Sequence, residues 1–169
     1  TYSTHQGKLG AVTVEDTLPA AHAGAAADAH GNTIVLVHGT AVRRVTVRGD
    51  GRLASPAQGL TALPVSRRFG ALVVHDDRAY VIGGADENDL VQASVYQNTL
   101  AESGAGDTWQ TAASANLATA RAGHGVARAG SYVYAVGGRD GSGVALRSVE
   151  IGTIAAGALT WAAGSEMQT

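Results

Sequence analysis

Apolar positions along this chain alternate with polar ones or gather in short clusters, and glycines interrupt every longer run. Alternation with a period of two marks half-buried strands, and helical spacing is supported almost nowhere. The clearest unit is LATARAGHGVARAGSYVYAVGG, from Leu117 to Gly138. LPVSRRFGALVVHDDRAYVIGG, from Leu63 to Gly84, overlays it without a gap. Leu63 falls on Leu117, Arg67 on Arg121, Tyr80 on Tyr134, and Gly83-Gly84 on Gly137-Gly138. A weaker copy, LPAAHAGAAADAHGNTIVLVHG, runs from Leu18 to Gly39 and reduces the double glycine to His38-Gly39. Each copy reads as a lead-in loop, an apolar strand, a polar turn, a second apolar strand and a glycine stop. Internal repetition of this kind outranks other signals in deciding the fold class.

The first copy predicts strands at Gly24–Ala29, Thr33–His38 and Ala41–Arg48, with Ser55–Thr61 a poor outer strand. The second predicts Gly70–His75, Ala79–Ile82, Val91–Thr99 and Thr108–Thr111, with Asp76-Asp77-Arg78 as a hairpin turn. The third predicts Gly125–Arg128, Tyr132–Val136, Ala145–Ile151 and Leu159–Ala162. Successive copies begin 45, 54 and 50 residues apart, at Leu18, Leu63, Leu117 and Met167. Four short strands in about 50 residues is the size of one propeller blade.

At these residues the chain resembles the kelch family of β-propellers. The resemblance is carried by Gly83-Gly84 and Gly137-Gly138, by Tyr80 and Tyr134 shortly before them, by Arg121, Gly123 and His124 ahead of the first strand, and by Trp109 and Trp161 downstream. Gly157-Ala158-Leu159-Thr160-Trp161 looks like the bacterial and phage form of the repeat. The first copy departs from the pattern, with Val35 in the Tyr place, His38 in the first Gly place and no Trp. The resemblance implies an all-β chain of four-stranded antiparallel blades, divided at 1–16, 17–62, 63–112 and 113–169. Glycine pairs allow close backbone approach where a strand ends, and the rings supply apolar area between sheets. The motif residues therefore read as structural.

Two further strands, Tyr2–His5 and Ala11–Glu15, match the outer half of a blade whose inner half is absent. Three and a half blades fall short of the four to eight that close a ring. The expectation is a fragment of a larger propeller, completed by a second polypeptide, most simply one cleaved from the same precursor in a surface loop. A chain opening at Thr1 without Met fits such processing, and suggests a secreted, periplasmic or cell-surface setting.

Composition narrows the classes. The net charge is -2 and only 15% of residues are charged, so no basic field exists to collect nucleic acid. No apolar run is long enough to span a bilayer. With no cysteine the chain holds neither disulfides nor the Tyr–Cys cofactor that the resemblance brings from kelch-like copper oxidases. His5, His22, His30, His38, His75 and His124 show none of the spacings of zinc sites. Asp86, Asn88 and Asp89 sit in one loop and are the candidate calcium ligands, although the run lacks the alternation of a recognised calcium loop. Arg67, Arg68, Arg121 and His124 are the candidates for binding a ligand or partner, with capping of backbone carbonyls at strand starts as the structural alternative for Arg67, Arg121 and His124, and surface solubility for the Arg67-Arg68 pair. No catalytic constellation is present in the spacing, and Thr1 as an N-terminal nucleophile precedes a strand of the wrong kind of fold. The function expected is a non-catalytic binding or assembly module presenting loops to a protein or glycan. The alternative is part of an enzyme whose catalytic residues lie in a missing segment or partner chain.

Overall fold

A computed structural model describes residues 24–54, 58–100, 108–111 and 115–167. Twelve strands and no α-helix occur among these, in three four-stranded antiparallel sheets. The first sheet holds β1 (Ala26–His30), β2 (Thr33–His38), β3 (Ala41–Thr46) and β4 (Gln58–Gly59). The second holds β5 (Ala71–His75), β6 (Arg78–Ile82), β7 (Val95–Thr99) and β8 (Gln110–Thr111). The third holds β9 (Gly125–Ala129), β10 (Tyr132–Val136), β11 (Ser148–Ala155) and β12 (Ala158–Glu166). Strand order in every sheet follows chain order, so each sheet is a meander and each repeat is one blade.

The period-two pattern explains how the blades stack. In the middle blade, Leu72, Val74, Ala79 and Val81 face one way and pack on Val35, Val37, Val42 and Trp109. Ala71, Val73, Tyr80 and Ile82 face the other way and pack on Val133, Ala135, Ile154 and Leu159. Both faces of β5 and β6 are therefore buried, whereas β1 and β9 are largely exposed. The first strands of the three blades, β1, β5 and β9, lie side by side as the innermost strands. In the tight turns between strands, Gly31, Asp76, Gly130 and Ala156 all take positive φ, as primed hairpin turns require.

Several strands differ in extent from expectation, most of all β7, β11 and β12. The pairing of β7 with β6 begins at Val95 and that of β11 with β10 at Val149, because Gln92 and Leu146 donate backwards to the Gly84 and Gly138 carbonyls and fold the preceding segment into a loop. Val91 and Ala145 make only isolated bridges, to Ala85 and Arg139. The strand β12 is longer than expected because its pairing with β11 continues past an irregularity near Ser148 and Glu150. The outer strand expected to be poor is the short β4, Gln58–Gly59. The strands expected at Tyr2–His5 and Ala11–Glu15 lie outside the described residues, as do Thr1, His5 and His22.

Candidate functional site

One end of the blades carries the long loops. Residues 83–94 and 137–147 connect β6 to β7 and β10 to β11, whereas only Gly39 and Thr40 connect β2 to β3. This difference accounts for the shorter first repeat. The lead-in segments join the loops at the same end through the bridges Arg68–Ala85 and Ala122–Arg139. Gly84 has φ of 89°, and a Cβ there would lie 2.7 Å from Gly70 N and 2.8 Å from Arg68 O, so only glycine admits this approach.

Each long loop is folded around an aspartate. Asp86 Oδ1 accepts from the backbone N–H of Asn88 (2.9 Å) and Leu90 (3.1 Å), while Oδ2 accepts from Gln92 Nε2 at 2.8 Å. Asp140 Oδ1 does the same for Ser142 (2.8 Å) and Val144 (3.0 Å). Local side-chain bonds of this kind fix a loop that has no sheet partner. The loops hold out Leu90 and Val144, equivalent in the repeat and 61% and 60% exposed. Of the calcium candidates, Asp86 is thus engaged by the loop, Asp89 pairs with Arg68 at 2.9 Å, and Asn88 is exposed. Among the described residues no three His, Asp or Glu side chains gather as a metal site would need.

The arginines separate by depth. Arg121 is wholly buried, and its Nη2 meets Glu150 Oε1 at 2.6 Å and Ser148 Oγ at 3.0 Å. Its Nη1 donates to the carbonyls of Gly137 (2.9 Å) and Ser148 (3.2 Å). Glu150 also accepts from the N–H groups of Ala118 (2.6 Å) and Thr119 (3.1 Å). Arg67 occupies the same repeat position one blade earlier. It donates to Ser66 O and to Ser94 Oγ, the counterpart of Ser148, and lies 4.8 Å from the centre of the Tyr96 ring. Tyr96 stands where the third blade has Glu150, and Pro64, which has no N–H, stands where it has Ala118. Both arginines hold strand and loop together inside the fold. Arg68 is half-buried, paired with Asp89 and within 3.4 Å of the Asp86 carbonyl.

His124 lies beneath the loops, more than nine-tenths buried, with its ring against Gly83 and its Cβ against Gly138. Neither ring nitrogen has a hydrogen-bond partner. Burial, and then the nearby Arg121 charge, lower its pKa to about 4, with Glu150 opposing.

The feature the sequence reading did not anticipate is Phe69. It adopts φ of 56°, in the left-handed region that a bulky side chain rarely enters. Its repeat counterparts are Gly24 (φ 76°) and Gly123 (φ 66°), so two of three blades place glycine there. The three residues join the blades in a chain of backbone bonds: Gly123 N donates to Phe69 O at 2.7 Å, and Phe69 N donates to Gly24 O at 2.9 Å. The Phe69 ring packs on Gly24 yet stays 42% exposed. It borders an open cavity of about 430 Å³ lined also by Ala122, Gly123, Gly138 and Arg139. The signal was present in the repeat overlay, as an aromatic residue at a glycine position.

At the opposite end, a cavity of about 310 Å³ lies between the second and third blades, with His75, Asp77, Arg78 and Ser131 among its lining. The fully buried Tyr80 reaches across there, and its hydroxyl donates to Gly157 O of the third blade at 3.0 Å. Desolvation raises the Tyr80 pKa and keeps that hydroxyl a donor.

Comparison with known proteins agrees with this architecture. Residues 120–151 match the Kelch motif. Among solved structures, "Structure of YjhT" superposes with a TM-score of 0.70 at 14% identity, covering 88% of this chain and 53% of that one. The chain thus spans about half the length of the structure it matches. No curated protein matches it.

Proposed function

We propose that this kelch-repeat β-propeller chain is a binding and assembly module, one section of a ring whose remaining blades come from another chain. The observation that carries the proposal is the contrast between two equivalent tyrosines. Tyr80 is fully buried with its hydroxyl on a glycine carbonyl of the next blade. Tyr134, in the same repeat place, is only half-buried on the outer side of the third blade, and Tyr132 beside it is 52% exposed. A following blade with its own turn would cover both rings. Open repeat arrays need such cover, and closed propellers have four to eight blades against the three sheets described here.

Binding is the role favoured for the loop end, because the repeat motif residues there are engaged in building the blades. Leu90 and Val144 are the exception: two apolar side chains held out at equivalent positions on braced loops. They suit a protein or glycan that meets successive blades at once. An enzymatic role would have to draw its reacting groups from the completing blades.

Replacing Leu90 and Val144 together by Asp tests the recognition role. Both are exposed, so the melting temperature is expected to move by no more than about 2 °C. The binding partner recovered with the native particle is expected to be lost. Retention of that partner at unchanged affinity would contradict the role given to these loops.

A further inference from the structure

Among the described residues the loop end holds a cation without a counter-charge, and comparing the blades shows why. In the second blade the bridge between lead-in and loop pairs Arg68 with Ala85, and in the third it pairs Ala122 with Arg139. The arginine has changed sides of the bridge. Arg68 finds Asp89 at 2.9 Å, but the position equivalent to Asp89 in the third blade is Gly143. Arg139 is exposed and makes no side-chain hydrogen bond or ion pair among the described residues. It borders the same cavity as Phe69.

We propose that Phe69 and Arg139 form a binding site for a small aromatic carboxylate. Its ring would lie on Phe69 and its carboxylate would pair with the Arg139 guanidinium. The planar guanidinium matches a carboxylate through two parallel hydrogen bonds. The exposed Phe69 ring offers a face or edge to a second flat ring. Gly123 and Gly138 line the cavity without side chains, which leaves room for a ring of that size. The backbone strain at Phe69 supports the same assignment. A left-handed aromatic residue where other blades use glycine is a local cost, and the part of its ring that does not pack on Gly24 stays exposed toward the cavity.

The site deepens the binding-module reading, but it uses residues other than Leu90 and Val144. It is tested by titrating the native particle with benzoate, and with benzyl alcohol as the neutral counterpart, by calorimetry. Benzoate is expected to bind saturably with a dissociation constant on the order of 0.1–1 mM. Benzyl alcohol should bind at least about tenfold more weakly. Arg139→Gln and Phe69→Gly should each weaken benzoate at least about tenfold. Both variants should keep the melting temperature within about 4 °C, because Arg139 is exposed and glycine is the residue other blades use at position 69. Absence of saturable benzoate binding, equal binding of the alcohol, or undiminished binding by Arg139→Gln would each overturn the site. None of those results would touch the recognition role of the loops, whose failure is read from the Leu90 and Val144 variants.

Discussion

Replacing Arg121 by Met is expected to destabilise the fold by about 3–5 kcal/mol, measured by urea unfolding at neutral pH. Both charges of the Arg121–Glu150 pair are buried, 2.6 Å apart, so removing the guanidinium leaves a carboxylate without its counter-ion in a region that water does not reach. The same change also frees the Gly137 and Ser148 carbonyls that Arg121 holds. The second blade indicates how the loss could be avoided. There Tyr96 replaces the carboxylate, and Pro64 removes the N–H corresponding to that of Ala118. Glu150→Tyr alone takes the acceptor from the Ala118 and Thr119 N–H groups and the counter-ion from the buried Arg121, so it too should destabilise the fold. Adding Ala118→Pro should recover part of that loss. If Arg121→Met unfolds at the wild-type urea concentration, the pair does not anchor the third blade.

Acid is expected to weaken this fold through His124. Its folded-state pKa of about 4 lies below the ordinary 6.5, so between those values the unfolded chain holds a proton that the folded chain refuses. Stability attributable to this group is therefore complete above about pH 6.5 and falls as the pH is lowered toward 4. At about 1.4 kcal/mol per unit, the full effect is about 3 kcal/mol, an upper value because local opening would admit water to the ring. His124→Leu should remove this dependence, so the wild type should lose stability relative to the variant, by up to about 3 kcal/mol, as the pH is lowered from 7.5 toward 4. Parallel curves for wild type and variant from pH 7.5 to 4.5 would contradict the account of a buried, unpartnered imidazole.

These two effects show what the repeat pattern made legible and what it did not. Strand positions follow from the alternation of apolar residues. The middle blade is the best case, because Leu72 and Val73, or Ala79 and Tyr80, bury opposite faces against two neighbours. The double glycines were readable as places of close approach, and the geometry at Gly84 gives the reason. Side-chain partnership was much less legible. Arg67 and Arg121 were evident as repeat equivalents, but their partners Tyr96 and Glu150 differ in chemistry and lie far downstream in sequence. The candidate calcium ligands looked alike as a run of polar residues. Their division into a loop brace, an ion pair and an exposed amide depends on backbone turns that residue types alone do not specify. Phe69 was hidden for a different reason: its interest lies in φ, and only its glycine counterparts Gly24 and Gly123 hint at that.

The central proposal is that further blades from another chain complete the ring and cover the face of β9–β12 on which Tyr132 and Tyr134 lie. Native mass spectrometry of the gently purified particle, set beside the denaturing mass of each component, tests it most directly. The account predicts a native mass well above 17.0 kDa that resolves, on denaturation, into this chain and a second polypeptide. A stable, soluble 17.0 kDa particle containing this chain alone would contradict it.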